Sequence, residues 1–243
     1  MISKEERYGN TVIVMISDTG IGHRVHNTVN QDAIDFFMQD EDYAFVISDG
    51  VGSCRLADVG AKAAVKAVGE VFQNLENETE ESDMQDIIDR IINEWFKQIR
   101  DERPEECCAT LKTVIKKKNK LMLFSIGDGL LIVTSEGMNV IAPSSDDLFA
   151  NQTICLGPSV RKSDFWSHEF ALDTYVNYTV FLCSDGVGNG IQEGRESELV
   201  NEIEKDVSID DLQGELEGLV QSIADVSIDD RTVGVIKYDR KNA

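Results

Sequence analysis

Two hydrophobic periodicities divide the chain into predicted strands and helices. Short apolar runs rich in β-branched residues predict strands, whereas apolar positions at three- and four-residue steps predict amphipathic helices. The predicted strands are residues 11–17, 43–48, 110–115, 121–125, 130–135, 139–142, 166–170, 179–183 and 232–238. The predicted helices are residues 56–75, 84–99, 196–206 and 210–225. The order along the chain is therefore strands, two helices, strands, two helices and a last strand.

Hairpin-like strand pairs outnumber strand–helix–strand alternations in this order, which favours an α+β fold with antiparallel sheets. The lysine-rich segment 116–120 (KKKNK) separates two strands and predicts a solvated hairpin turn. The acidic segment 76–83 predicts an exposed loop, and the irregular segment 144–163 predicts a flap over a site. The sequence contains no internal repeat and no linker rich in Pro, Gly or Ser, so we expect residues 1–243 to form one domain.

Composition limits the classes of partner. The chain has 243 residues, of which 42% are hydrophobic, so it can bury a sizeable core. Asp and Glu total 45 against 23 Lys and Arg, which gives a formal net charge of -22. Such a surface repels nucleic acid and anionic membranes, and we expect neither as a partner. Most of this charge is typical of a solvated surface, but part of it is suited to metal binding.

The cysteines and the hydrophobic runs predict the cellular compartment. The five cysteines show neither a zinc-site spacing nor a disulfide framework. We find no apolar core of a secretion signal near the beginning of the sequence, and no run approaches the roughly 20 apolar residues of a membrane helix. We therefore expect a soluble, cytoplasmic, reduced protein, and we expect a monomer.

Five short motifs place an aspartate where an apolar run ends or begins, most of them beside a glycine. They are 30–32 (NQD), 49–52 (DGVG), 127–129 (GDG), 184–187 (SDGV) and 229–232 (DDRT). Each motif alone is typical of an ordinary turn, because Asp caps backbone amides and Gly accepts a positive φ.

As a set, these motifs indicate a metal site. Several apolar strands deliver carboxylates that would repel each other and resist ionisation unless cations held them. Mg²⁺ and Mn²⁺ prefer oxygen ligands, and a glycine lets a backbone carbonyl approach closely enough to serve as one. The chain has three histidines, and they form no competing histidine-rich constellation.

The order and spacing of the five motifs resemble the PPM family of metal-dependent serine/threonine protein phosphatases, the type 2C phosphatases. The resemblance spans residues 16–238 and is strongest to a bacterial branch of the family, through the segments 22–33 (GHRVHNTVNQDA) and 48–53 (SDGVGS). It implies a four-layer αββα sandwich, in which two antiparallel β-sheets are flanked by helix pairs. It also implies hydrolysis of phosphoserine and phosphothreonine in phosphorylated proteins.

The resemblance implies roles for individual residues. Asp49 would bridge two Mn²⁺ or Mg²⁺ ions, and the Gly50 carbonyl would complete the shell of the second ion. Asp185 and Asp229 would bind the first ion, and Asp32 would lie on the side of the second. Asp128 matches the position that helps to hold a third, weaker ion. A hydroxide shared by the two ions would then attack the phosphoryl group in line, because the ions lower the pKa of their bound water.

Three positions depart from the family pattern. Val51 stands where many members have a histidine proposed as the general acid, and Gln31 stands where a carboxylate is usual. The phosphate-binding arginine has no unambiguous counterpart, so Arg24 and His23 are both candidates.

Three other functions remain open from the residues. The chain could be a pseudophosphatase that binds a partner, although it keeps every metal-ligand aspartate. Residues 155–161 (CLGPSVR) match the Cys-x5-Arg loop of cysteine-based phosphatases, in which Cys155 would attack phosphorus and Arg161 would hold the phosphate. An acidic calcium-binding module is the third possibility, but the sequence has no EF-hand spacing.

Overall fold

The computed structural model describes residues 1–75, 83–135, 138–143, 154–172, 177–192, 194–208, 210–224 and 227–239. The strands in these residues are β1 (Ile2–Tyr8), β2 (Thr11–Asp18), β3 (Asp32–Gln39), β4 (Asp42–Asp49), β5 (Leu111–Lys117), β6 (Lys120–Ile126), β7 (Leu130–Ser135), β8 (Met138–Ile141), β9 (Trp166–Ala171), β10 (Tyr178–Cys183) and β11 (Arg231–Tyr238). The helices are α1 (Ile21–His26), α2 (Ala57–Asn74), α3 (Met84–Gln98), α4 (Asp185–Gly188), α5 (Glu196–Asp206) and α6 (Leu212–Ile223).

Contacts along the chain group these elements into two compact units. The first unit comprises Met1–Asn30, Gly129–Ala142 and Asp173–Ala243. The second unit comprises Gln31–Asp128 and Pro143–Leu172. Each unit is built from one antiparallel sheet and one pair of long helices.

In the described part of the first unit, the sheet has the strand order β1-β2-β11-β10-β7-β8, and every neighbouring pair is antiparallel. Val12, Val14 and Ile16 of β2 recur with the two-residue period of a strand and pack with apolar residues of α5 and α6, among them Val200 and Leu216. The core of this unit therefore lies between one face of the sheet and the α5–α6 pair.

In the described part of the second unit, the sheet has the order β3-β4-β5-β6-β9, again antiparallel throughout. Ala44 and Val46 of β4 pack with α2 and α3, and Trp95 of α3 is fully buried among them. The Trp95 indole N–H donates a hydrogen bond to the Gly60 carbonyl of α2 at 3.1 Å. This bond joins the two helices over the sheet.

The predicted α+β class, with two antiparallel sheets and two pairs of long helices, is confirmed. The turn in segment 116–120 is confirmed as well, since β5 ends at Lys117, β6 begins at Lys120 and Lys118 takes a φ of 53°. Strands β1 and β3 were not predicted, because both are edge strands with few buried residues: none in β1 and two in β3. The short helices α1 and α4 were not predicted either, because six and four residues are too few for a helical period to be recognised in the sequence.

Two sequence predictions fall wholly or mainly on residues that the structure does not describe. The loop predicted at 76–83 lies outside the described residues except for Asp83, which caps α3. Of the predicted flap, residues 144–153 lie outside them, whereas 154–163 are described. Among the described helices, none combines the length and the apolar character that crossing a bilayer requires.

Replacing Gly60 with alanine tests the close packing of α2 in the second unit. A Cβ at Gly60 would lie 1.8 Å from the Cys107 carbonyl oxygen, so the helix must shift. We expect Gly60→Ala to lower the free energy of unfolding by about 1–3 kcal/mol, the usual cost of overpacking. The matched control is Gly218→Ala in α6, where a Cβ meets nothing within 4 Å. The control should gain about 0.5–1 kcal/mol through helix propensity. Urea unfolding measures both, and an equal gain in both variants would contradict the packing.

Candidate functional site

In the first unit, the β10–β11 register brings Asp185 beside the turn that contains Asp229. Cys183 pairs with Val233, and the ladder continues when the Ser184 N–H donates to the Thr232 carbonyl at 2.9 Å. Asp185 then begins α4. A Cβ on the following residue, Gly186, would lie 1.9 Å from the Asp230 carbonyl oxygen and 3.4 Å from the Asp229 Cβ. The glycine therefore permits a contact between the start of α4 and the Asp229–Asp230 turn.

A histidine and two aspartates form a compact group at the same end of this sheet. One ligand atom from each of His23, Asp229 and Asp230 lies within 4.8 Å of the others. His23 Nδ1 is 2.8 Å from Asp230 Oδ2, and the Gly20 N–H donates to Asp230 Oδ1 at 2.7 Å. Asp230 is 2% exposed, whereas Asp229 is exposed. The buried carboxylate thus fixes the imidazole, and the exposed carboxylate stays accessible next to it.

Asp18, at the end of β2, binds two arginines instead. Its Oδ2 accepts a hydrogen bond from Arg231 at 2.5 Å, and its Oδ1 accepts one from Arg24. Asp18 and Arg231 are directly opposite in the β2–β11 ladder, and Arg231 is 1% exposed. Burial alone would raise the pKa of Asp18, but the Arg231 hydrogen bond, the Met1 amino group and the Arg24 charge together lower it. This carboxylate is therefore ionised and held by protein cations.

In the second unit, Asp32 and Asp49 face each other directly. Asp32 is the first residue of β3 and Asp49 the last residue of β4, and the register pairs them. Directly opposite residues project from the same face of a sheet, and like charges at such positions repel each other. Asp32 is 7% exposed, so its charge is also partly removed from water. The pair therefore offers two carboxylates, at one end of the sheet, that a cation could hold.

The backbone after Asp49 is held by hydrogen bonds to the segment before β5. The Asp49 N–H donates to Thr110 Oγ1 at 3.0 Å, and the Thr110 N–H donates back to the Asp49 carbonyl at 2.7 Å. A Cβ on Gly50 would lie 2.5 Å from the Ala57 carbonyl oxygen, so only glycine fits there. The Val51 N–H donates to the Cys108 carbonyl at 2.9 Å. The loop that carries Asp49 and Gly50 is therefore fixed at three successive residues.

Asp128 lies in a tight turn supported by a buried lysine. Gly127, before it, takes a φ of 87° and Gly129, after it, takes a φ of 83°, values that favour glycine. Lys112 of β5 is 1% exposed, and its ammonium group donates to the Gly127 carbonyl at 2.6 Å and to Ser125 Oγ at 2.9 Å. The lysine thereby holds the backbone from which Asp128 projects.

The residues present fit hard divalent cations. Carboxylates, with a backbone carbonyl exposed by a glycine, are the donors that Mg²⁺ and Mn²⁺ prefer. The His23–Asp229–Asp230 group has its donor atoms within the span of a single coordination shell. The opposed Asp32–Asp49 pair offers a second set of oxygens.

The structure brings together some of the residues predicted from the sequence. It places Asp32 opposite Asp49 in one unit, and it packs Gly186, the residue after Asp185, against the Asp229–Asp230 turn in the other. The two phosphate-binding candidates, His23 and Arg24, lie on α1, and each contacts its own carboxylate.

Four residues of these groups were not identified from the sequence: Asp18, Lys112, Asp230 and Arg231. Lys112 and Arg231 could have been identified from the sequence, since Lys112 places a charge inside an apolar strand and Arg231 places one at the start of another. Asp230 was part of a quoted motif, but its neighbour Asp229 was preferred as the ligand.

The Cys-x5-Arg segment does not form a phosphate loop. Arg161 is exposed, and the segment leads through Arg161 into a 3-10 turn at Lys162–Asp164 rather than into an α-helix. Burial raises the pKa of the Cys155 thiol, whereas a cysteine nucleophile needs a lowered pKa. This geometry gives no support to a cysteine-based phosphatase.

Comparison with known proteins agrees with the carboxylate pattern. A family model described as protein phosphatase 2C matches residues 19–220. No curated protein sequence matches the chain. Among solved structures, RsbX in complex with magnesium is 14% identical with a TM-score of 0.65, covering 98% of this chain and 100% of its own.

Two further structures give similar values. The S. agalactiae serine/threonine phosphatase is 16% identical with a TM-score of 0.66, covering 94% of this chain and 100% of its own. The catalytic domain of PstP in complex with two manganese ions is 16% identical with a TM-score of 0.60, covering 93% and 97%. At such identities the likeness shows that the chain shares their fold.

Replacing Asp18 with asparagine tests whether this aspartate is structural. The change leaves the buried Arg231 without its carboxylate, so we expect the free energy of unfolding to fall by about 3–5 kcal/mol at pH 7. The pKa of Asp18 is lowered in the folded state, so its contribution is present above the unfolded value of about 3.9 and is lost as the pH falls through the folded value.

The difference between wild type and Asp18→Asn should therefore shrink in acid, as measured by urea unfolding between pH 7 and pH 3. The control is Asp58→Asn, which removes an exposed pair with Lys62 and should cost less than about 1 kcal/mol. A small, pH-independent difference for Asp18→Asn would contradict the assignment.

Proposed function

The chain belongs to the protein phosphatase 2C family of serine/threonine protein phosphatases, and on that premise we propose that it hydrolyses phosphoserine and phosphothreonine in proteins with two bound divalent cations. The family predicted from the five aspartate motifs is thereby confirmed, as is the enzyme class. The two-cation mechanism and the assignment of individual residues are our proposals.

The observation that carries the mechanism is the direct opposition of Asp32 and Asp49 at the end of the β3–β4 ladder. Two like charges at paired positions destabilise a sheet unless a cation compensates them. The backbone of Asp49 and Val51 is also fixed by three hydrogen bonds, two to Thr110 and one to Cys108, as expected of a ligand that must be positioned before the cation binds. RsbX with magnesium and PstP with two manganese ions support Mg²⁺ or Mn²⁺ as the cofactor.

We assign the ligands by the family pattern. Asp49 would contact both ions, and the Gly50 carbonyl would contact the second. Asp185 and Asp229 would hold the first ion, and Asp32 would serve the second, directly or through water. Asp128, held by the Gly127 turn and Lys112, serves a third and weaker ion. We propose that residues 1–243 form one catalytic domain.

When bound, the divalent ions supply an activated water nucleophile and positive charge for the phosphoryl oxygens. The side chains of the chain itself bind and orient the phosphate. His23 is held by Asp230 at 2.8 Å, and Arg24 is held by Asp18, so both α1 groups have a fixed direction from which to contact a phosphate oxygen. Val51 carries no proton that could be donated to the leaving group, so we assign it no part in proton transfer.

The proposal extends to partners and location. The substrate is a phosphorylated protein, and the formal charge of -22 opposes binding of nucleic acid or an anionic membrane. The five cysteines are free thiols, which suits the reducing cytoplasm. We propose a cytoplasmic monomer.

Replacing Asp49 with asparagine tests the mechanism directly. Asparagine removes the charge that is proposed to contact both ions, so turnover of a phosphothreonine peptide with Mn²⁺ should fall about 1,000-fold or more. The matched control is Asp42→Asn at the other end of the same strand, where Asp42 pairs with Lys116 and Lys117 at the surface. The control should keep wild-type turnover. Unchanged turnover in Asp49→Asn would refute the ligand assignment.

Chelating the metal ions and alkylating the thiols distinguish the proposed phosphatase from a cysteine-based phosphatase and from a pseudophosphatase. We expect EDTA to abolish turnover and thiol alkylation to leave a metal-dependent rate. Activity that survived EDTA and was lost on alkylation would transfer the chemistry to Cys155. No turnover with any divalent ion, in a protein that still binds Mn²⁺ by isothermal calorimetry, would establish a pseudophosphatase.

A further inference from the structure

Three large apolar side chains of the first unit are exposed to solvent, and we call them the α1 patch: Ile21, Val25 and Ile228. Ile21 and Val25 of α1 are 52% and 74% exposed, and Ile228, in the turn before β11, is 74% exposed. Ile21 and Val25 are four residues apart, so they lie on the same face of the helix. Exposed apolar residues of this kind indicate a binding surface when they are contiguous.

Two glycines bring Ile228 against the first turn of α1. The Gly22 N–H donates to the Ile228 carbonyl at 3.0 Å. A Cβ on Gly22 would lie 3.9 Å from the Ile228 Cβ, and a Cβ on Gly20 would lie 2.3 Å from the Asp229 carbonyl carbon. Ile21, between these glycines, is therefore next to the same backbone, and the α1 patch is contiguous.

The other end of α1 is held by its own backbone. Asn27 ends the helix with a φ of 53°, and its N–H donates to the Arg24 carbonyl at 3.2 Å. The Thr28 N–H donates to the His23 carbonyl at 2.9 Å. These two bonds form a Schellman motif, so Val25 is presented from a helix of defined length. A surface that is already ordered costs less entropy when it binds a partner.

The α1 patch adjoins a carboxylate that we assign to the first cation. Ile228 immediately precedes Asp229, so their Cα atoms are about 3.8 Å apart. Asp229 is exposed, and its neighbour Asp230 holds His23 of α1 at 2.8 Å. Two residues of an extended peptide span about 7 Å. A substrate with its phosphate at Asp229 can therefore place a side chain two residues away on the α1 patch.

The segment around α1 differs in charge from the rest of the chain. Residues 19–31 contain no Asp or Glu, although these residue types make up 45 of the 243 residues. Arg24 is 52% exposed even though it contacts Asp18, and His26 is exposed as well. A phosphorylated segment is anionic, so it meets an exposed cation here and less repulsion than an acidic surface would exert.

We propose that the α1 patch binds apolar side chains that flank the phosphoresidue of a protein substrate, and that the chain thereby prefers phosphorylated residues in an apolar sequence context. This inference rests on the proposed phosphatase function and adds a substrate preference to it. The bound segment is extended, its phosphate lies at the Asp229 end of the sheet, and its apolar side chains cover Val25 and Ile228. The preference arises because covering these side chains removes apolar surface from water.

Binding of two labelled peptides to the full chain tests the preference. Both carry a phosphonate analogue of phosphothreonine, which is not hydrolysed. One has leucine two residues before and two residues after the analogue, and the other has serine at both positions. Fluorescence anisotropy in the presence of Mn²⁺ measures the two dissociation constants. We expect wild type to bind the leucine peptide about 10-fold more tightly, as partial burial of an apolar side chain predicts.

Replacing Val25 with serine should remove most of this preference. Serine and valine have similar helix propensities, so the change removes apolar surface and leaves α1 intact, which circular dichroism checks. Val25→Ser should weaken binding of the leucine peptide and leave binding of the serine peptide unchanged, and Ile228→Ser should act in the same direction. The matched control is Ile141→Ser on β8, where Ile141 is 42% exposed. The control should keep the wild-type preference.

Equal or undetectable binding of the two peptides by wild type would overturn the proposal, as would an unchanged preference in Val25→Ser. Self-association of wild type in sedimentation velocity that is lost in Val25→Ser would assign the α1 patch to a second copy of the chain instead. Turnover of a phosphothreonine peptide is measured separately. A peptide preference without turnover would refute the phosphatase function alone, and turnover without a preference would refute the α1 patch alone.

Discussion

The repulsion between Asp32 and Asp49 is the constraint on which the proposed chemistry depends. The β3–β4 register places the two carboxylates directly opposite each other, and one of them is largely buried. Like charges at opposed positions repel each other, which is why we propose a cation at this position. Asp18 is the instructive contrast, because it also ends an apolar strand but is compensated by Arg24 and Arg231. The two environments separate aspartates suited to a bound ion from one that stabilises the fold.

The sequence was sufficient for the family and for the elements with a strong apolar period. Helix α3 repeats isoleucines on one face, and β4 is a continuous apolar run, so both were predicted close to their observed bounds. The edge strands β1 and β3 were missed because few of their residues are buried, even though each pairs with the next strand through a two-residue turn.

The sequence predicts ligand types for the candidate site, but it does not predict the contacts that support them. Asp49 and Asp185 stand out because each follows an apolar strand and precedes a glycine. The buried Asp230 and Lys112 act through contacts with His23 and the Gly127 carbonyl, which only the fold brings into reach.

The central claim is that strand-end carboxylates hold two divalent cations. Anomalous diffraction from crystals soaked in Mn²⁺ measures this directly. The account predicts two strong peaks, one contacted by Asp49, Asp185 and Asp229 and the other by Asp49 and the Gly50 carbonyl. Crystals that diffract well but show no manganese peak at these residues, or that show it only at surface carboxylates such as Asp42, would contradict it.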